Sequence, residues 1–312
     1  VACGSAMHAS LVGKYLLQTY GKIPVMVEIA SEYRYSEELI TPSTLLIVVS
    51  QSGETADTLA ALRLAKQKGA YVVGIVNAVG STIAREVDEC IYTYAGPEIA
   101  VATTKGYTTQ VAVFSTLALM AMEQKGLLTD EKSEEIKQDL LTVKEKIEAV
   151  LSDRDLYLDI ANQIYTHNDL FFIGRGIDST VCMEGSLKLK EISYMHSESY
   201  SAGELKHGTI SLIDKGTPVI SIATDENLFE KTVSNIKETK ARGAYSIFVT
   251  TQNHKDNCSE FADKTIILPK TTAFTQPILT VVALQLVAYE TAKLRGCDID
   301  KPRNLAKSVT VE

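Results

Sequence analysis

Leu45-Leu46-Ile47-Val48-Val49-Ser50-Gln51-Ser52-Gly53-Glu54-Thr55 joins a continuous apolar run to the helix-like stretch from Ala56 to Lys68. The unbroken run fits a strand covered on both faces. A strand that turns through small hydroxyl residues and glycine into a helix leaves backbone N–H groups, hydroxyls and the positive dipole end facing one point. That arrangement is an anion cradle. It lacks the Lys of G-x-x-x-x-G-K-[ST], so it predicts one phosphate on a small metabolite in preference to a triphosphate with magnesium. A Ser-capped helix after any parallel strand would read the same way, and the surroundings must decide.

An internal repeat supplies those surroundings. A shift of 174 positions lays Lys68-Gly69-Ala70-Tyr71 on Arg242-Gly243-Ala244-Tyr245 and brings Ser50 onto Thr224. Each region reads strand, hydroxyl-bearing turn, amphipathic helix, Gly-Ala-Tyr, strand. Upstream, Cys3-Gly4-Ser5 parallels Ile173-Gly174-Arg175 at a slightly different offset. Strands are predicted at Thr44–Ser50, Tyr71–Val76, Glu89–Tyr94, Leu170–Ile173, Pro218–Ala223, Ser246–Thr250 and Thr265–Leu268, with helices between them. Such alternation implies an α/β fold of two doubly wound parallel sheets related by internal duplication. Between the halves, Met122 to Leu158 reads as a helical connector with a solvated face, its apolar positions being Leu141, Val143, Ile147, Val150 and Leu151. The second half opens on a full strand at Asp169–Ile173, whereas the first reaches Gly4 almost at once. The first unit is therefore expected to lack the beginning of its opening strand, with a protein segment preceding residue 1.

The chain has 312 residues, 45% of them apolar, enough for two domains of about 130–170 residues. A formal charge of −8 without a basic cluster argues against nucleic acid or an acidic membrane as the partner. An anionic ligand must be held by local groups. Cys3, Cys90, Cys182, Cys258 and Cys297 are scattered and odd in number, which favours reduced thiols in the cytoplasm and gives no metal signature. Val111 to Met122, read as the most apolar long segment, is too short to span a bilayer and is expected to be a buried helix.

Chemistry is concentrated between Glu184 and His207. Glu184, Lys188 and Glu191 stand at i, i+4 and i+7, so a helix would show two carboxylates and an ammonium along one face. A surface salt-bridge ladder is the plain reading of that spacing. However, Gly174-Arg175-Gly176 starts this helix directly after a strand, at the carboxyl end of the sheet where open α/β folds bind ligands. A lone His is more often structural than catalytic, and His207 on its own reads so.

Six ordered strings then carry a resemblance: Glu28 to Tyr35, Ser50 to Leu59, Gly96 to Lys105, Lys188 to Tyr194, Ala202 to Gly208, and Lys301 to Glu312. With them the chain resembles, over essentially its whole length, the isomerase half of the glutamine–fructose-6-phosphate aminotransferase (glucosamine-6-phosphate synthase) family. The resemblance implies two SIS (sugar isomerase) domains, 1–128 and 129–296, the second beginning with the connector. A C-terminal tail, 297–312, would complete the active site. By matching position, Ser50, Gln51, Ser52 and Thr55 would hold the sugar phosphate, and Ser5, Val101, Thr103, Glu184 and Ala306 would complete the substrate site. Glu191 would shuttle a proton between C1 and C2, with Lys188 assisting electrostatically. His207 would open the sugar ring in the neighbouring subunit of a homodimer, and Lys307 would form a Schiff base with C2. The implied ligands are fructose 6-phosphate, glucosamine 6-phosphate or glucose 6-phosphate, with ammonia from an amino-terminal glutaminase domain; no cofactor or metal is implied. Nothing in the chain matches that domain, and Cys3 is not its nucleophile. Ser5-Ala6 and Ala102-Thr103-Thr104-Lys105 depart from the family pattern, the first by removing a hydroxyl near the substrate. Two other readings stay open, a non-catalytic phosphosugar-sensing module and a related SIS deglycase; the sensor would have no use for Glu191, His207 and Lys307 together.

Overall fold

A computed structural model describes residues 1–35, 40–258 and 260–310. The chain forms two compact units, Val1–Thr129 with Asn304–Glu312, and Asp130–Arg303. Val311 and Glu312, the last residues of the family-like ending, lie outside the described residues.

The first unit runs α1 (Gly4–Thr19), α2 (Ala30–Tyr33), β1 (Leu45–Ser50), α3 (Ala56–Gln67), β2 (Tyr71–Val76), α4 (Thr82–Glu86), β3 (Glu89–Tyr92) and α5 (Lys105–Gln124). Its strands form a parallel sheet ordered β1-β2-β3, with Leu45 opposite Tyr71 and Val73 opposite Glu89. Leu46, Val48, Val72 and Val76 pack with Ala61, Leu62 and Ile83 in one core, which is why these strands read as unbroken apolar runs. Residues 1 and 2 extend the pairing. The Val1 amino group donates to the Ile47 carbonyl at 2.8 Å, Val49 N donates to the Val1 carbonyl at 3.2 Å, and Ala2 bridges Ile29 in parallel.

The second unit runs α6 (Asp130–Leu141), α7 (Val143–Ser152), α8 (Arg154–Ile164), β4 (Asp169–Gly174), α9 (Ile177–Ser193), β5 (His196–Ser201), β6 (Pro218–Ala223), α10 (Phe229–Lys240), β7 (Tyr245–Thr251), β8 (Lys264–Leu268) and α11 (Gln276–Leu294). Its five strands are parallel, in the order β5-β4-β6-β7-β8. Val1 and Ala2 thus hold, between β1 and residue 29, the place that β4 holds between β6 and β5. That pairing corrects the upstream alignment of the repeats: Val1, bonded to Ile47 and Val49, takes the place of Gly174 opposite Ile222, so Gly4, the first residue of α1, falls on Ile177, the first of α9, and not on Gly174.

The seven predicted strands are present, and β5 is an addition to them. His196-Ser-Glu-Ser-Tyr-Ser201 has no apolar face, and its place comes from its pairing with β4 at one edge of the sheet. The predicted connector is helical but broken at Thr142 between α6 and α7. Of its apolar positions Val150 is buried, while Leu141 and Leu151 are exposed. Val111 to Met122 lies within α5, as expected. Yet α11 is longer and apolar enough by composition to cross a membrane; 78% of its apolar stretch is buried within the protein, which makes it a core helix.

One ionic tie occurs in both units. Lys66 near the end of α3 pairs with Asp88 at 2.9 Å, and Asp88 accepts Val72 N of β2 at 2.8 Å. Lys240 at the end of α10 pairs with Asp263 at 2.5 Å, and Asp263 accepts Ser246 N of β7 at 2.7 Å. The lysines and the amides both obey the 174-residue shift. Each tie fixes the end of a helix to the strand that follows it.

The second unit has a further buried anchor at Asp139 of α6. It accepts Thr271 Oγ1 at 2.8 Å, Thr272 N at 3.0 Å and Thr272 Oγ1 at 2.7 Å, and also binds Thr275 Oγ1 and Lys146 Nζ. Burial opposes ionisation, but Lys146 and the threonines outweigh it and hold the carboxyl far below the usual range. Thr275 immediately precedes α11, so the carboxylate pins the start of the core helix. Replacing Asp139 with Ala should lower stability by about 3–5 kcal/mol at pH 7. Because the folded-state pKa is depressed, this contribution is complete above the unfolded carboxyl's range, about pH 4, and is lost as the pH falls further. Melting temperatures of parent and Asp139→Ala should therefore converge below about pH 4. A gap of constant size across that range would show that the anchor is not ionic.

Candidate active site

The turn after β1 is built to leave donors available. Ser50 Oγ accepts Gly53 N at 2.9 Å and shares a hydrogen bond with Thr55 Oγ1 at 3.2 Å, while Ser52 Oγ accepts Glu54 N at 3.2 Å. Gly53 has φ +67°, and a Cβ there would lie 1.9 Å from Ser81 Oγ, so no other residue fits. Glu54 turns away from the loop to accept Thr82 N at 2.8 Å at the start of α4. No side chain caps α3. Thr55, its N-cap residue, is bonded to Ser50 instead, which removes the plain Ser-capped-helix reading.

The tail meets this loop within the same unit. Ser308 Oγ donates to Ser52 Oγ at 3.1 Å, and Ala56 N, the first amide of α3, donates to the Val309 carbonyl at 3.2 Å. Next to these contacts Lys307 Nζ donates to Glu98 Oε2 at 2.8 Å and to the Ala100 carbonyl at 2.7 Å. Glu98 is itself fixed by Thr103 Oγ1 at 2.6 Å, Thr104 N at 2.8 Å and Gly106 N at 3.2 Å. Burial works against its charge, but Lys307 and these donors hold the carboxyl below the usual range. Upstream in the tail, Arg303 belongs to the second unit, where its N donates to Tyr194 Oη at 2.8 Å and its guanidinium stacks over that ring.

In the second unit α9 places Glu184, Lys188 and Glu191 on one face. Lys188 Nζ lies 2.5 Å from Glu191 Oε2 and 3.4 Å from Glu184 Oε1. Side-chain exposure is 2% for Lys188, 0% for Glu184 and 20% for Glu191, so the set is no solvated ladder. Burial alone would lower the Lys188 pKa; the two carboxylates prevail and raise it, which keeps the ammonium charged. Glu184 exposes nothing to a ligand. It pairs with Lys188, and Glu191 is the group of this face that reaches solvent.

The second repeat has its own loop at the position of the cradle, and that loop is filled. Asp178 of α9 accepts Thr224 N at 2.7 Å, Thr224 Oγ1 at 2.5 Å and Asp225 N at 3.2 Å. Burial pushes its carboxyl up to about 6 against the pull of these bonds. The chain thus carries one open cradle and one closed by its own carboxylate.

Of the predicted residues, the first unit gathers Ser50, Gln51, Ser52, Thr55, Thr103 and Lys307 around the β1 and β3 loops and the tail. The Gln51 carbonyl accepts Asn77 N and Ala78 N. Ser5 is buried in the first turn of α1, Val101 is half-buried on the β3–α5 loop, and Ala306 is exposed beside Lys307. His207 ends a short 3-10 turn, is exposed, and makes no side-chain hydrogen bond or ion pair among the described residues. Among those residues no group of three His, Cys, Asp or Glu is placed to hold a metal ion. Glu98, Asp178 and Ser308 had no predicted role. Glu98 lies inside one of the family-like strings, but its value emerges only when the loop folds its donors onto it.

Comparison with known proteins agrees with this duplication. The SIS domain family matches residues 1–120 and 163–295. Glutamine–fructose-6-phosphate aminotransferase (isomerizing) of Clostridium tetani is 54% identical over all of this chain and 51% of its own length. A protein of the same name from Thermus thermophilus is 46% identical over all of this chain and 52% of its own. The chain spans about half the length of the curated relatives it matches. Among solved structures, the C-terminal domain of glucosamine-fructose-6-phosphate aminotransferase from Francisella tularensis has a TM-score of 0.92 at 35% identity, covering 96% of this chain and 85% of that one. Glucosamine-6-phosphate deaminase from Thermotoga maritima has a TM-score of 0.75 at 23% identity, covering 99% and 88%, and shares the fold. With each repeat matched to one family, the chain belongs to the SIS-domain family and, within it, to the isomerase halves of the glutamine–fructose-6-phosphate aminotransferases.

Proposed function

We propose that the chain binds fructose 6-phosphate, forms a Schiff base at Lys307 and, supplied with ammonia, isomerises the C2 imine to glucosamine 6-phosphate. The observation that carries this reading is the meeting of the phosphate cradle and Lys307 in one unit, through Ser308 on Ser52 and Val309 on Ala56 N. The hydroxyls of Ser50, Ser52 and Thr55 at the start of α3 receive the phosphate, which takes the place of the tail's contacts to Ser52 and Ala56 N. Lys307, having lost a proton to solvent, adds to the C2 carbonyl and water leaves; ammonia then adds to this imine and releases the lysine amine, leaving the C2 imine of the sugar. Glu191 then takes a proton from C1 and returns it to C2, and the buried Lys188 ammonium stabilises the charge that develops between these steps.

His207 opens the sugar ring from a partner subunit in a homodimer, a role supported by its exposure and its lack of side-chain partners within the described chain. Ammonia comes from a glutaminase domain, in keeping with relatives about twice as long. A cytoplasmic setting suits five free thiols. A sensing module would need the cradle but not a lysine buried between two carboxylates, an arrangement costly to desolvate. A deglycase would share much of the chemistry, and the identity over the whole chain to the aminotransferases favours the proposed reaction.

The cradle contributes no Arg or Lys of its own, so its hydroxyls carry phosphate binding. Removing two hydrogen bonds to a charged group, as in Ser52→Ala with Thr55→Ala, should raise KM for fructose 6-phosphate roughly 10²-fold or more while the melting temperature holds. Unchanged KM in the folded double variant would remove the phosphate from this loop.

A base and a binding residue part company on mutation. Without glutamine, the chain should interconvert fructose 6-phosphate and glucose 6-phosphate, and Glu191→Gln should lower turnover on the order of 10²-fold or more with KM near the parent's. Turnover close to the parent's would make Glu191 a packing partner of Lys188 and nothing more.

A further inference from the structure

The pair formed by Lys307 and Glu98 does more than hold the tail. Glu98 is 4% exposed as a side chain and Lys307 29%. Glu98 receives Thr104 N and Gly106 N on one oxygen, and Thr103 Oγ1 with Lys307 Nζ on the other. The three donors from its own loop leave the carboxylate no freedom to follow the lysine if the lysine moves. The loop is tight as well: a Cβ on Gly106 would lie 2.6 Å from Thr103 Oγ1, 3.0 Å from Glu98 Oε2 and 3.0 Å from Gln51 Cγ. Glu98 is thereby braced between the start of α5 and a residue of the cradle. Both acceptors of Lys307, Glu98 and the Ala100 carbonyl, lie on this one segment.

An amine attacks a carbonyl productively only from a fixed direction, and two acceptors, at 2.8 and 2.7 Å, fix the Lys307 nitrogen. Of the other charged groups near the loops, Lys105 approaches Gly96 and Glu54 is committed to Thr82 N; neither is bonded to Lys307. We propose that Glu98 is the positioning residue of Lys307, holding the tail nucleophile at a fixed point beside the cradle until a sugar carbonyl displaces one of its two contacts. The use made of that arrangement rests on the Schiff-base reading given above. The pairing itself can be measured without sugar.

The test is the acetylation of individual lysines by brief exposure to acetic anhydride at one pH, read by mass spectrometry, with exposed Lys270 as internal reference. In the parent, Lys307 should be acetylated more slowly than Lys270, since its contacts must open first. In Glu98→Gln the rate at Lys307 relative to Lys270 should rise roughly tenfold. Glu98→Asp, which keeps the charge, should restore most of the parental protection. Equal rates for Lys307 and Lys270 in the parent, or an unmoved ratio in folded Glu98→Gln, would overturn the proposal, and the parental measurement decides even if the variant does not fold. A separate arm, borohydride reduction with fructose 6-phosphate, asks whether the adduct forms on Lys307. No adduct there in the parent would reject the Schiff-base reading, while the acetylation ratio alone would still decide whether Glu98 and Lys307 are paired.

Discussion

Backbone amides exposed where a strand gives way to a helix must find an acceptor, and the two copies of this fold meet that demand in different ways. In the second unit Asp178 supplies a carboxylate from inside the chain, and the loop after β6 is closed. In the first unit, among the described residues, a tail carbonyl takes the first amide of α3, and hydroxyls bond to one another. Under the proposed function these neutral bonds give way to a phosphate, whereas the buried carboxylate of the second loop stays. The difference between a ligand site and a structural joint therefore comes down to which acceptor the chain itself provides.

Charge is used with the opposite logic in α9. Lys188 is buried, and each ionised group taken out of water carries a penalty of several kcal/mol. Two carboxylates against one ammonium leave an excess negative charge, which falls on Glu191, the member of the set nearest solvent. The fold keeps that carboxylate oriented by an ammonium that neither titrates near neutrality nor leaves. Glu184 is the necessary counterweight: without it Lys188 would face burial with a single partner.

What could be read from the residues follows from what each signal reports. Seven strands were visible because a parallel strand covered on both faces must be apolar throughout. β5 was not, since His196, Glu198 and Tyr200 show no such run. The tight turn after β1 was legible from Gly53 and its hydroxyls, as the backbone conformation there admits only glycine. Spacing alone could not separate a surface ladder from a buried triad at Glu184, Lys188 and Glu191, because it reports direction and not depth. The positions of Lys307 and Glu98 were beyond local reading altogether: 209 residues separate them, and only folding makes them neighbours.

The tie from Lys66 to Asp88, repeated as Lys240 to Asp263, serves as a ruler. Hydroxyls, glycines and catalytic groups drift apart between copies once one site is kept and the other closed, as the displaced match of Gly4 shows. A bond joining helix end to strand start has no such freedom, because moving it by one residue would turn every side chain of the strand to the other face. In more divergent chains of this architecture, the recurrence of that Lys at a constant distance before the Asp-bound strand amide, as in Lys66 to Val72 and Lys240 to Ser246, offers a frame for assigning which loop of a pair faces a ligand and which has been sealed.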